Sequence, residues 1–168
     1  MQTPITEMFG IEFPILAFTH CRDVVAAVSK AGGLGVLGAV GHSDSGLETD
    51  LAWIEAEIGD RPYGVDLIVP ARYAGSEEGG LDVADLVAAI PGAHQEFLDE
   101  LMERYQVPED PDAAGWAIRP GEAPFSANRA IQQLDIALAH RPSLVANALG
   151  PPPSEMVQRC REAGVKVA

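Results

Sequence analysis

Polar side chains that could take part in chemistry lie at or near the ends of three apolar segments of the sequence. His20 and Cys21 follow the first apolar segment, Asp66 interrupts a later one, and Asn147 interrupts the last long one. A carboxylate or an amide in apolar surroundings is costly unless it is paired or hydrogen-bonded. The sequence therefore predicts for Asp66 and Asn147 either a structural hydrogen bond or contact with a ligand, and it leaves both alternatives open.

The neighbours His20 and Cys21 are the residue types of a nucleophile and its base, but their spacing does not favour that pairing. Adjacent residues of a strand point to opposite faces of the sheet, so we predict a buried, structural Cys21. His20 follows a strand, and α/β proteins bind ligands at the carboxyl ends of their strands. His20 is therefore a candidate site residue, whereas we expect His42 to be a solvated loop histidine.

Glycines 33, 35 and 38 match the letters of the dinucleotide fingerprint G-x-G-x-x-G. In that motif the glycines follow a strand and open a helix, so that the pyrophosphate meets the helix N-terminus. In this chain they follow a helical segment and lead into an apolar one. We therefore predict a helix end and a tightly packed strand instead of a nicotinamide site. The sequence contains no zinc-ligand spacing, no P-loop lysine and no G-x-S-x-G motif.

Hydrophobic patterns predict strands that alternate with helices. Such alternation indicates parallel strands joined by right-handed crossovers, and strands that are apolar throughout indicate a sheet covered on both faces. The fold class is therefore α/β. Strands are predicted at residues 11–18, 34–40, 63–69, 143–149 and 165–168. Helices are predicted from an Asp23 cap to residue 31, along a face formed by Leu47, Leu51, Ile54 and Ile58, from an Asn128 cap to residue 138, and from a Ser154 cap to Gly164.

The alternation is interrupted once, after the third predicted strand. We interpret residues 1–168 as one α/β domain and residues 71–127 as an insertion within it. One amphipathic helix is predicted inside the insertion, beginning after Pro91 and Gly92. Insertions at this position carry functional elaborations in some folds and are solvated surface excursions in others, and the sequence leaves both alternatives open.

Composition excludes several classes of protein. The chain has 168 residues, of which 47% are hydrophobic, and 25 acidic against 11 basic side chains give a net charge of −14. A nucleic-acid binder or a polybasic membrane anchor carries the opposite charge, and no apolar run approaches the roughly 20 residues that span a bilayer. Two distant cysteines predict neither a disulfide framework nor a metal site, so we expect a cytoplasmic protein. The polar side chains near the strand ends, and not the composition, are what predict a small-molecule ligand.

Several segments of the sequence resemble the nitronate monooxygenases, also called 2-nitropropane dioxygenases. The similar segments are T-P-I-T-E-M-F-G-I-E-F-P-I at 3–15, A-A-V-S-K-A-G-G-L-G at 26–35, R-P-Y-G-V-D-L at 61–67, P-P at 152–153 and A-G-V-K-V at 163–167. The resemblance implies a TIM-barrel-like (β/α)8 fold with FMN at the carboxyl ends of its strands, of which this chain is the N-terminal half. The catalytic histidine of the family has no counterpart in these 168 residues.

The resemblance also implies a set of cofactor-binding residues near the strand ends, and we expect them on one rim with Asp66 pointing toward the lumen or the flavin. They are Thr19, His20, Cys21, Asp66, Asn147 and Ala148. Two of them depart from the family pattern, since His20 stands where methionine is common and Asp66 where an asparagine is expected. An ionised carboxylate only accepts hydrogen bonds, and it disfavours an anionic reduced flavin unless it is protonated or paired.

The function implied by the resemblance is FMN-dependent oxidation of alkyl nitronates with oxygen. Two alternatives stay open: an enoyl thioester reductase-like flavoenzyme, and a non-catalytic half-barrel. A complete flavodoxin-like module is disfavoured because no phosphate loop follows the first strand. A half-barrel has open sheet edges, so we also expect self-association and weak FMN binding by the chain alone.

Overall fold

The computed structural model describes residues 2–69, 83–108 and 127–168. The helices are α1 (Pro4–Phe9), α2 (Arg22–Lys30), α3 (Asp44–Ile58), α4 (Val83–Ala88), α5 (Gly92–Arg104), α6 (Ala127–Ala139) and α7 (Ser154–Glu162). The strands are β1 (Leu16–Thr19), β2 (Leu34–Gly38), β3 (Tyr63–Leu67), β4 (Leu144–Asn147) and β5 (Lys166–Val167). Within these ranges no helix is long and apolar enough to cross a membrane.

The five strands form one parallel sheet in the order β1-β2-β3-β4-β5. Each strand lies beside the strand that precedes it in the chain, and a helix returns the chain between them. This is the order of the first five strands of a (β/α)8 barrel. The predicted α/β class and the predicted number of parallel strands are confirmed.

One face of the sheet is covered by helices and holds the larger core. Leu37, Val65 and Val145 are fully buried on this face. The α3 side chains predicted to share one face all pack against it, as their spacing of four, three and four residues requires. The glycines of the G-x-G-x-x-G segment lie at the start of β2 and within it, as predicted.

Gly35 allows α2 to lie unusually close to β2. A β-carbon at this position would lie 2.4 Å from the carbonyl oxygen of Val25. Beside this contact the buried Ser29 hydroxyl accepts from Gly35 N at 3.2 Å and donates to the Pro62 carbonyl at 2.8 Å. Only a residue without a side chain permits this helix–strand distance.

Among the described residues, the other face of the sheet is covered only near the amino ends of the strands. A small cluster of Ile11, Leu34, Val36 and Leu144 is buried there, with Phe9 of α1 packed against it. Hydrophobic periodicity predicts no helix at α1, because six residues are too few to show it. Its signal is the capping box, in which Thr3 caps the helix and Pro4 follows at the first helical position.

Several predicted strand bounds and two predicted helix caps are wrong. The first strand begins at Leu16 instead of residue 11, because the backbone N–H groups of Glu12 and Phe13 both donate to Gly32 O and turn the chain away from the sheet. The other strands are shorter than predicted by two or three residues. In α2 the N-cap position belongs to Cys21, with Asp23 in the first turn, and in α7 it belongs to Pro153.

The predicted insertion contains α4 and α5. The predicted helix is present as α5, but it begins at Gly92 instead of after it, and the apolar side chains that predicted it, among them Phe97, Leu98 and Tyr105, are exposed. Residues 70–82 and 109–126 lie outside the described part of the chain, as does the side chain of the predicted cap Asn128.

Candidate functional site

At the carboxyl ends of β1, β2 and β3, the face of the sheet opposite the larger core presents a small set of polar and aromatic groups that no other described element covers. We call this surface the open face and define it by Phe18, His20, Gly38 and Asp66. Phe18 is 58% exposed, and Gly38 and Asp66 are direct partners in the parallel register. The helix-covered core lies on the opposite side of the same strands.

His20 lies over the end of β2 and is held from two sides. Its Nδ1 is 3.2 Å from Gly38 O, and its ring meets the ring of Phe18 edge-on, with centroids 5.0 Å apart and an interplanar angle of 81°. A β-carbon on Gly38 would lie 2.6 Å from Cε1 of His20 and 2.8 Å from the Phe18 ring. The absence of a side chain at Gly38 is therefore what lets the imidazole lie against the strand.

Asp66 points to the open face, as strand alternation predicts. Its neighbours Val65 and Leu67 are fully buried on the helix-covered side. Burial raises the pKa of the Asp66 carboxyl above its ordinary value, and the charge of His20 acts in the opposite direction. His20 lies over Gly38, the register partner of Asp66, so the structure brings these two side chains to the same face of the sheet at neighbouring strand ends.

Asn147 lies at the same edge of the sheet but on the helix-covered side, because its register partner is Leu67. Its Oδ1 accepts from Val69 N at 2.9 Å, and its Nδ2 donates to Val69 O at 3.3 Å and to Gly150 O at 3.2 Å. These bonds join the segment after β3 to the loop after β4. Of the two alternatives for Asn147, the structure supports the structural hydrogen bond.

The remaining predicted contacts lie beside the open face. Thr19 pairs with the buried Leu37 and accepts from Cys21 N at 3.0 Å, so its hydroxyl stabilises the turn into α2. The backbone N–H of Ala148 donates to Leu67 O at 2.9 Å. Cys21 is exposed, with Sγ 3.7 Å from Asp23 Oδ2, and the prediction of a buried Cys21 is wrong. Burial was inferred from strand membership, but Cys21 lies after the strand.

The loop between β2 and α3 is held by a charged network. His42 Nε2 is 3.2 Å from Asp50, and Arg22 donates to the same carboxylate at 2.8 Å while its guanidinium lies 4.7 Å from the Trp53 ring centre. The side chain of His42 is 14% exposed, so the prediction of a solvated histidine is wrong. The sequence gives only a weak signal for the contact between His42 and Asp50, because the two residues lie on different elements.

Helix α6 fixes the same loop from the other side. The buried Gln133 side chain donates to Ala39 O at 3.0 Å, and Arg129 donates to His42 O and to Asp44. The backbone N–H of Ala39 in turn donates to Asp66 O at 2.9 Å. The backbone beside the open face is therefore fixed by side chains that follow the insertion, a relation that local sequence patterns do not reveal.

A second polar cluster lies on the opposite side of the sheet from the open face, between α3, α6 and the start of β3. His140 contacts Glu55 at 3.0 Å and Glu48 at 3.3 Å, and the Tyr63 hydroxyl donates to Glu55 at 3.0 Å. Burial, together with the charge of Glu55, raises the pKa of Tyr63. These contacts tie α6 to α3, and we interpret the cluster as structural.

Five parallel strands in sequential order, joined by helices, define a protein of the (β/α)-barrel class. The nitronate monooxygenase family matches residues 2–168, and the chain belongs to this family.

Individual relatives agree with this assignment. A Mycobacterium tuberculosis protein named as a monooxygenase is 47% identical over 175 residues, which cover 100% of this chain and 44% of that protein. A Staphylococcus saprophyticus protein named as a nitronate monooxygenase is 36% identical over 75 residues, which cover 42% of this chain and 21% of that protein.

A solved structure agrees in fold. The crystal structure of a nitroalkane oxidase from Streptomyces ansochromogenes matches with a TM-score of 0.64 at 22% identity, over 98% of this chain and 41% of the other. The chain therefore spans less than half the length of the relatives that it matches.

Proposed function

We propose that this chain supplies the N-terminal half of the barrel of a flavin-dependent oxidoreductase that oxidises alkyl nitronates with FMN and oxygen. The observation that carries the proposal is the convergence of His20 and Asp66 on the open face, at the edge where barrels bind their ligands. Membership of the nitronate monooxygenase family supports the substrate class and the flavin.

The open face offers groups of the kinds that contact a flavin ring. Phe18 offers an exposed aromatic surface, Gly38 leaves the strand without a side chain, and His20 and Asp66 add hydrogen-bonding groups. We assign the ring contact to these residues, with the exposed Cys21 beside them. Thr19 and Asn147 are committed to internal hydrogen bonds and are not assigned to it.

The described residues do not offer an evident site for the FMN phosphate. At this edge of the sheet Arg22 is paired with Asp50 and Arg129 with Asp44. Phosphate is held in barrels of this class by loops after the seventh and eighth strands. We therefore assign to this chain the flavin ring and the substrate, and not the phosphate.

When bound, FMN supplies the redox chemistry. The chain's own residues bind the ring, orient the substrate on the open face and hold a proton on Asp66 or His20. The fixed position of His20 on Gly38 O is what would keep that face in one geometry.

The test is a chimera in which this chain replaces the matching 44% of the Mycobacterium tuberculosis relative, with the unaltered relative as the control. The flavin content of the purified chimera is measured by absorbance, and consumption of propyl-2-nitronate is followed together with oxygen uptake. We expect one FMN per chain and turnover of the nitronate.

Two results would contradict the proposal. One is a folded chimera that excludes flavin while the control binds it. The other is a flavin-loaded chimera that leaves nitronates unchanged and reacts with an enoyl thioester instead, which would replace the proposed substrate class.

A further inference from the structure

Two ionisable side chains on the open face meet across one glycine. His20 lies over Gly38 with Nδ1 3.2 Å from its carbonyl oxygen, and Asp66 is the register partner of Gly38 on the next strand. Both side chains are half-buried. A histidine and a carboxylate are thus neighbours on the side of the sheet that faces away from the helices.

The surroundings of the pair strengthen the interaction between the two charges. Phe18 packs edge-on against His20, and Gly38 contributes no side chain. Charges interact more strongly where apolar groups displace water. Burial raises the pKa of Asp66 while the charge of His20 lowers it, which indicates that the Asp66 carboxyl senses the imidazole.

We propose that His20 and Asp66 act as one charge-coupled pair that faces the substrate, and that His20, by neutralising Asp66, allows this site to accept an anionic substrate. This inference rests on the proposed function, since it takes the open face to be the substrate side of the flavin site. It makes His20 the residue that determines specificity for an anion over a neutral molecule of the same shape.

The physical reason is the sign of the charge that the substrate meets. A carboxylate alone repels a nitronate, which is an anion, whereas a protonated imidazole beside that carboxylate cancels the repulsion. A neutral nitroalkane senses neither charge strongly. Loss of His20 should therefore weaken the binding of anions and leave the binding of neutral molecules almost unchanged.

The first experiment tests the coupling in the chain itself. The carboxyl carbon of Asp66 is followed by NMR as the pH is changed, in the wild type, in His20→Gln and in His94→Gln as a control on the exposed surface of α5. We expect the Asp66 titration to move to higher pH in His20→Gln and to stay unchanged in His94→Gln. An Asp66 titration that is the same in all three proteins overturns the proposal.

The second experiment tests specificity with two molecules of equal shape, the anion propionate and the neutral nitroethane. Their dissociation constants are measured in the FMN-saturated protein from the NMR shifts of the Gly38 and Asp66 amides. We expect His20→Gln to weaken propionate binding about tenfold, which corresponds to about 1.4 kcal/mol, with nitroethane unchanged. The double variant His20→Gln/Asp66→Asn should bind propionate with close to wild-type affinity.

Three results would each overturn the proposal. They are equally weakened binding of both molecules to His20→Gln, failure of the double variant to recover propionate binding, and no binding of propionate to the wild type. Failure of the proposed function has a different signature. A flavin-loaded chimera that does not oxidise nitronates would reject the reaction, but it would leave the Asp66 titration and the preference for propionate as measured.

Discussion

Substitution of Gly35 by alanine tests the closest contact between a helix and a strand in this fold. The new β-carbon would lie 2.4 Å from the carbonyl oxygen of Val25 and 2.7 Å from its α-carbon. These are backbone atoms, so relief requires α2 to move away from β2 as a unit. Overpacking of a core costs about 1–3 kcal/mol and occasionally more.

The same displacement would weaken the hydrogen bond from Gly35 N to Ser29, 3.2 Å long in the wild type. A typical internal hydrogen bond contributes about 0.5–1.5 kcal/mol to stability. Alanine also reduces the conformational freedom of the unfolded chain, which stabilises the folded protein by about 0.4–1 kcal/mol. We therefore expect Gly35→Ala to lower the free energy of unfolding by about 3 kcal/mol, with a fall in Tm of about 6–12 °C for a domain of this size.

Urea unfolding followed by circular dichroism measures this change, with Gly92→Ala as the matched control. Gly92 begins α5, and a β-carbon there has no atom within 4 Å, so the control should unfold within about 1 kcal/mol of the wild type. A Gly35→Ala protein as stable as the control would refute the inferred contact between α2 and β2.

Four further predictions follow from individual side chains and from the edges of the sheet. Asp66→Asn should be more stable than the wild type at pH 7 and equally stable near pH 3. The pKa of Asp66 is raised in the folded state, so the wild type loses stability as the pH rises above the unfolded value of 3.8. Urea unfolding at both pH values checks the sign of this stability difference. Asn147→Ala should lower the free energy of unfolding by about 1–3 kcal/mol, since it leaves backbone groups after β3 without their partners, whereas Gln158→Ala on the exposed face of α7 should have little effect in the same assay. A thiol reagent should label Cys21 quickly in the folded chain and Cys160 only on unfolding. The reason is that Cys160 is fully buried and that burial raises its pKa. Mass spectrometry of the labelled peptides distinguishes the two cysteines. The chain should self-associate in size-exclusion chromatography as its concentration rises. Among the described strands, β1 and β5 each pair on one side only, and an unpaired strand edge can pair with another chain. A monomer at every concentration would contradict this prediction.

The parts of the fold that were predictable are those with a repeated local signal. The periodicity of Leu47, Leu51, Ile54 and Ile58 predicted α3, and the order of helix and strand around Gly35 excluded a dinucleotide site. Each of these signals lies within a few turns of one element, where hydrophobic burial alone decides the outcome.

The parts that were not predictable depend on contacts between elements. The amide of Asn147 bonds the backbone of Val69, far away in sequence, and the half-buried His42 contacts an acid on α3. An amide or a histidine at these positions would equally suit a ligand site, so the residue types alone do not predict the internal contacts. At Asp66 strand alternation sufficed to predict the face, but the closeness of His20 depends on the missing side chain of Gly38.

The most direct test of the account is to add FMN, at millimolar concentration, to the chain labelled with nitrogen-15 and to record which backbone amides shift. We predict shifts confined to the open face, at Phe18, His20, Gly38 and Asp66, and none at the cavity of about 360 Å³ lined by Gly10 to Phe13 near the amino ends of the strands. Shifts centred on that cavity, or no shift at Gly38 and Asp66, would contradict the claim that this face of the sheet holds the flavin.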